Sequence, residues 1–117
     1  MNNEILRKAI KQSRYCDVRL ATVVAVVTTL AGNPQFAVCN RRGGGGVSKW
    51  SHHAEERAAA RLRRKGLPLE LFEMYVIRFK GDGSIGISKP CEGCGRKVKG
   101  FFRVFYTKDD GEFAELY

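Results

Sequence analysis

Apolar and polar positions along this chain follow two different periods. In residues 2–13, Ile5, Leu6, Ala9 and Ile10 recur at spacings of three to five, with Arg7, Lys8 and Lys11 between them. That is the pattern of a helix burying one stripe. Residues 21–30 are crowded with β-branched side chains, and residues 35–39 repeat that character after the breaker Gly32-Asn33-Pro34, so the two segments predict a β-hairpin. From residue 51 to 65, alanines and Leu62 alternate with Arg57, Arg61, Arg63 and Arg64. This composition predicts a second helix, begun at Ser51 and closed by Gly66 and Pro68.

Residues 73–79 read as a strand, and the turn Gly81-Asp82-Gly83 leads into a short extended piece over 84–88. Pro90 opens a third helix to about Lys99, Gly100 ends it, and residues 101–107 form an aromatic and β-branched strand. Asp109-Asp110-Gly111 is a hairpin turn, from which residues 112–116 return antiparallel to the preceding strand. Helices and strands in this order pack as a layered α/β domain. With 117 residues, the chain 1–117 forms one domain around one core.

Composition narrows the class. Apolar residues make up 44% of the chain, and no run is long enough to cross a membrane as a helix. The first ten residues lack the continuous apolar centre of a signal peptide, so a cytoplasmic protein is expected. Cys16 and Cys39 stand alone in sequence and read as small core residues, whereas Cys91 and Cys94 form a close pair suited to metal or redox chemistry. Four glycines at 43–46 make a loop without the Gly-Lys-Ser or Gly-Lys-Thr ending of a phosphate cradle. The formal charge of +9 favours phosphate-bearing partners without choosing among nucleotide, polynucleotide and anionic surface. Arg57, Arg61 and Arg64 recur at helical spacing; a solvated face, a subunit contact and a polynucleotide contact all fit them.

Two segments carry chemistry: His53-Ala54-Glu55 at the start of the second helix, and Pro90-Cys91-Glu92-Gly93-Cys94 at the start of the third. Cys91 and Cys94, three residues apart, share one side of a helical turn, and a helix N-terminus favours the thiolate that binds metal. With His53 they supply three ligands to Zn²⁺, leaving a position at which water is acidified. Glu55, two residues from a ligand, is placed to move that water's proton.

Together the two segments resemble the signature of the zinc-dependent cytidine deaminase-like superfamily, His-x-Glu followed by Pro-Cys-x-x-Cys. The resemblance covers nearly the whole chain. It implies a three-layer fold with a mixed five-stranded sheet, helices on both faces and the last two strands as an antiparallel hairpin. It implies His53, Cys91 and Cys94 as Zn²⁺ ligands and Glu55 as general acid and base. It further implies substrate contacts from Asn40, from the backbone N–H of Ala54 and from Ser88 in the pocket wall, and it implies a homo-oligomer; Tyr106, which ends a strand near that pocket, is read separately as stacking on the base or as a core or edge aromatic. The expected reaction is hydrolytic deamination of a cytosine-type pyrimidine nucleoside or nucleotide to the uracil form with release of ammonia. The alternatives are cytosine deamination in single-stranded DNA or RNA and a nonenzymatic zinc-stabilised binding module. The residues around Glu92, Gly95 and Arg96 match no one branch, which leaves the substrate open.

Overall fold

The computed structural model describes residues 3–14, 21–42, 51–89 and 98–116. Helix α1 spans Asn3–Ser13, strand β1 Ala21–Thr29, β2 Pro34–Cys39, β3 Arg41–Arg42 and β4 Ser51–His52. Helix α2 spans Ala54–Arg64. A single 3₁₀ turn at Leu69–Leu71 leads into β5, Phe72–Lys80, followed by β6 Ile85–Gly86, β7 Arg103–Thr107 and β8 Phe113–Glu115.

The main sheet has the order β2-β1-β5-β7-β8, with β6 also paired to β5. β1 runs antiparallel to both β2 and β5, and β7 runs parallel to β5. Strands β2, β5 and β7 therefore all point one way, and their C-terminal ends lie along one edge of the sheet. β8 returns antiparallel to β7, so the chain closes on the expected hairpin, and the sheet is mixed. The short β6 is a sixth strand beyond the five expected; only Ile85 and Gly86 of residues 84–88 pair with β5.

Alternation along the strands sorts the core into two layers. On one face, Ala25, Val27, Phe36, Val38, Met74 and Val76 pack against Ala54, Ala58, Ala59 and Leu62 of α2. On the other, Val24, Val26, Ala37, Cys39, Ile77 and Phe79 pack against Ile5 and Ala9 of α1. Strand period two and helix period near 3.6 produce this three-layer arrangement. Tyr75 lies on the α1 side, stacked on Phe105 at 4.8 Å and edge-on to Phe113 at 5.2 Å. Burial raises its phenol pKa, Glu73 adds to that, and Arg103 opposes it.

Two sequence expectations need correction. The second helix starts at Ala54, capped by His53, because Ser51 and His52 pair with Arg42 and Arg41 in a two-residue ladder. Residues 98–100, expected as the end of the third helix, form a turn, and the rest of that helix lies outside the described residues. Among the described residues, no helix is long and apolar enough to cross a membrane.

The end of α2 is fixed by geometry that the sequence signalled. Gly66 takes φ +70°, Gly66 N–H donates to the Arg63 carbonyl at 3.0 Å, and Leu67 N–H donates to the Leu62 carbonyl at 3.0 Å. This pair of bonds closes the helix around a left-handed residue. A Cβ at Gly66 would meet nothing within 4 Å, so Gly66→Ala carries backbone strain alone. It is expected to lower stability by about 1 kcal/mol, read as a fall of about 4 °C in the thermal midpoint.

Candidate active site

The buried stripe of α2 is built from small residues, Ala54, Ala58 and Ala59 at 0% exposure, with Leu62 at 1%. Alanine lets the helix axis approach the sheet closely, and the strong helix propensity of the segment keeps that face regular. Glu55 belongs to the same stripe and is only 5% exposed. A carboxylate in a position shaped for methyl groups loses its hydration and persists only with polar partners. Glu55 does have such partners, and among the described residues no buried side-chain nitrogen or oxygen lacks one. The acidic pair Glu55 and Glu56 also occupies the first turn, where the positive end of the helix dipole favours negative charge.

His53 caps α2 with an extended backbone, φ −70° and ψ 145°, and its imidazole makes no capping hydrogen bond to the helix. It is half-buried beside Glu55. Ala54, the first helical residue, carries one of the N–H groups that a helix leaves unpaired at its N-terminus.

Arg57 ties this end of α2 to the sheet. Its Nη1 donates to the Cys39 carbonyl at 2.6 Å, on the last residue of β2. Asn40 follows at once. Its backbone N–H donates to the Val23 carbonyl, and its Oδ1 accepts from Val23 N–H, both at 2.9 Å. The amide is thus held at the C-terminal end of β2, 9% exposed. The role of Arg57 is invisible in sequence, where it reads as one more member of a basic stripe.

Farther along the same edge, Val38, Ala25, Val76 and Tyr106 stand side by side in register across four strands. All face α2, and Tyr106 packs half-buried against that core layer. Ser88 lies next to it in a knot of buried hydroxyls. Ser88 Oγ donates to the Val76 carbonyl at 2.7 Å and accepts from Thr107 N–H at 2.8 Å. Thr107 Oγ1 donates to the Gly86 carbonyl at 2.8 Å and lies 2.8 Å from Ser88 Oγ. Two hydroxyl protons serve these acceptors, so the Ser88 hydroxyl is engaged in holding β7 to the segment after β6. Thr107 was not singled out by sequence; a threonine ending a strand carries no signal of such a knot.

The topology therefore sets Asn40, the α2 N-terminus with His53, Ala54 and Glu55, Ser88 and Tyr106 along one edge of the sheet. Cys91 and Cys94 lie outside the described residues. Among the described residues, no group of three His, Cys, Asp or Glu could hold a metal. Cys39 overturns one expectation. It is disulfide-bonded, not a plain thiol, and its side chain is buried on the α1 side, away from α2. Its spacing from the other cysteines gave no sign of this.

A mixed sheet between helices, with the strand order β2-β1-β5-β7-β8, is an α/β domain of cytidine deaminase-like fold. The chain is similar to the crystal structure of cytidine deaminase from Burkholderia pseudomallei, with a TM-score of 0.72 and 17% identity, over 98% of this chain and 91% of that one. At that identity the likeness is one of fold. No protein-family model and no curated protein matches the chain.

Arg57→Ala removes the charge-assisted bond to Cys39. It is expected to lower stability by about 1.5 kcal/mol, measured by denaturant unfolding. An unchanged midpoint would show that α2 is held to β2 by packing alone.

Proposed function

We propose that this chain is a zinc-dependent hydrolytic deaminase of a cytosine-type pyrimidine, acting on a nucleoside or its monophosphate. The observation that carries this reading is Glu55: a carboxylate buried on the core-facing stripe of α2, two residues from His53, in a fold similar to that of a cytidine deaminase. A structural role gives no reason to place a carboxylate where alanines pack. The chemistry of the donor set fits zinc, with one imidazole at a helix cap and two cysteines three positions apart in sequence.

In this reading His53, Cys91 and Cys94 hold Zn²⁺, which would supply an acidified water as nucleophile at neutral pH. Glu55 takes one proton from the attacking water and delivers it to the ring nitrogen, then takes the remaining proton from the hydroxyl added at C4 and delivers it to the departing amino group. Water adds at C4, ammonia leaves, and the uracil form results. The Ala54 N–H donates to the base carbonyl. Asn40, with Oδ1 held by Val23, offers Nδ2 as donor to a sugar oxygen. Tyr106 lies against the base, and Ser88 forms the wall through its knot with Thr107. A homo-oligomer belongs to the same reading. Leu71 and Phe102, both more than half exposed, lie on neighbouring segments joined by the Phe102 N–H to Phe72 carbonyl bond, and offer an apolar contact.

Zinc-loaded protein incubated with cytidine, deoxycytidine and their monophosphates is expected to yield the uracil product of at least one, detected by mass. Glu55→Ala is expected to lower that rate by about 10³-fold while zinc stays bound. Full turnover in the variant would remove Glu55 from the mechanism. Silence on every small substrate, with zinc bound, would move the reading to a polynucleotide substrate or a binding module.

The cysteines give a second check. Ligation requires Cys91 and Cys94 as thiolates, so in this reading neither is the disulfide partner of Cys39. Peptide mapping without reductant is expected to recover Cys91 and Cys94 free of any link to Cys39. A peptide joining Cys39 to Cys91 or Cys94 would dismantle the ligand set and, with it, the zinc reading.

A further inference from the structure

Two grooves flank strand β2, the edge strand of the sheet. One, of about 700 Å³, runs along α2 and is lined by Glu56, Arg57, Arg61, Arg64 and Lys65. The other, of about 350 Å³, lies at the β2 edge towards α1 and is lined by Lys8, Lys11, Phe36 and again Arg61. Arg61 joins them, its guanidinium stacked over the Phe36 ring at 4.3 Å. The grooves thus form one path that starts beside the first turn of α2, follows the helix, and turns over the sheet edge onto the opposite face.

The path is strongly cationic. Among the described residues, Lys8, Lys11, Arg64 and Lys65 make no ion pair with a carboxylate, whereas Arg103 and Lys108 elsewhere do. Glu56 is the one acid lining either groove, and Arg57 is already engaged with the Cys39 carbonyl. So much unpaired positive charge in joined concavities matches a chain of phosphates. The bend selects the kind of chain. A flat anionic membrane meets one face of the sheet at a time, and a duplex, stiff over about 150 base pairs, cannot follow a turn over one strand. A single strand can.

We propose that the path from Arg64 and Lys65 through Arg61 to Lys8 and Lys11 binds the backbone of a single-stranded polynucleotide. This surface acts whether or not the domain deaminates, since none of these five residues belongs to the proposed catalytic set.

The test is anisotropy of a fluorescein-labelled oligo(dT) of about 15 nucleotides, titrated with the full chain over a range of salt. The variant Lys8→Glu, Lys11→Glu, Arg64→Glu is compared with Lys80→Glu, Lys99→Glu, Lys108→Glu, which removes the same charge from exposed lysines outside the path. The first is expected to bind at least about tenfold more weakly and to lose about 2 from the slope of log affinity against log salt; the second is expected to lose under about threefold. Circular dichroism checks that both fold, and Lys8→Gln, Lys11→Gln, Arg64→Gln replaces the first if it does not. Equal losses in the two variants would overturn the proposal in favour of net charge. So would equal affinity for a duplex of the same length, or binding to phosphatidylglycerol vesicles with none to the oligonucleotide.

Discussion

The close approach of α2 to the sheet governs the rest of the molecule. Ala54, Ala58 and Ala59 present methyl groups to the row formed by Val38, Ala25 and Val76, so backbone and sheet meet with little side chain between them. A longer residue on the same stripe is buried with them, and Glu55, 5% exposed, is such a residue. Its depth follows from the size of its neighbours. The same contact decides where the N-terminus of α2 ends up: at the strand ends, where Arg57 reaches the Cys39 carbonyl.

Polar groups tie that edge together alongside its apolar packing. The Asn40 amide returns to Val23, and the hydroxyls of Ser88 and Thr107 lock the segments on either side of the parallel strands β5 and β7. Bonds of this kind contribute modestly while made and cost more when one partner is lost, which suits them to fixing positions. Pyrimidine recognition of the kind proposed needs such fixed donors and walls, because its selectivity comes from placing a few polar atoms.

Much of this was legible in the sequence. The two-period pattern gave α1, the β1–β2 hairpin, β5 and the final hairpin, and the motif marked His53 and Glu55 at a helix start. What was not legible depended on contacts between distant residues. Ser51 looks like a helix cap, but the ladder with Arg41 and Arg42 takes up that backbone. Residues 35–39 and 84–88 both read as extended, yet only Ile85 and Gly86 of the latter find a partner strand. Cys39 reads as a core thiol because nothing local records a disulfide, and disulfides are rare in the reducing compartment that the composition suggested. The groove across β2 joins side chains more than fifty positions apart, Lys8 and Arg64, and no periodicity spans that gap.

The same arrangement bears on how the domain avoids sticking to itself. A sheet with open edges is a template for further strands, and proteins blunt such edges with proline, charge or shortness. Here β8 is three residues long and ends in Glu115, while β2 begins at Pro34 and is flanked by lysine and arginine side chains on both faces. Two copies brought edge to edge at β2 would press these like charges together. The cationic rim thus opposes fibre-like association, and a partner seated along it would take over that guarding by covering the strand.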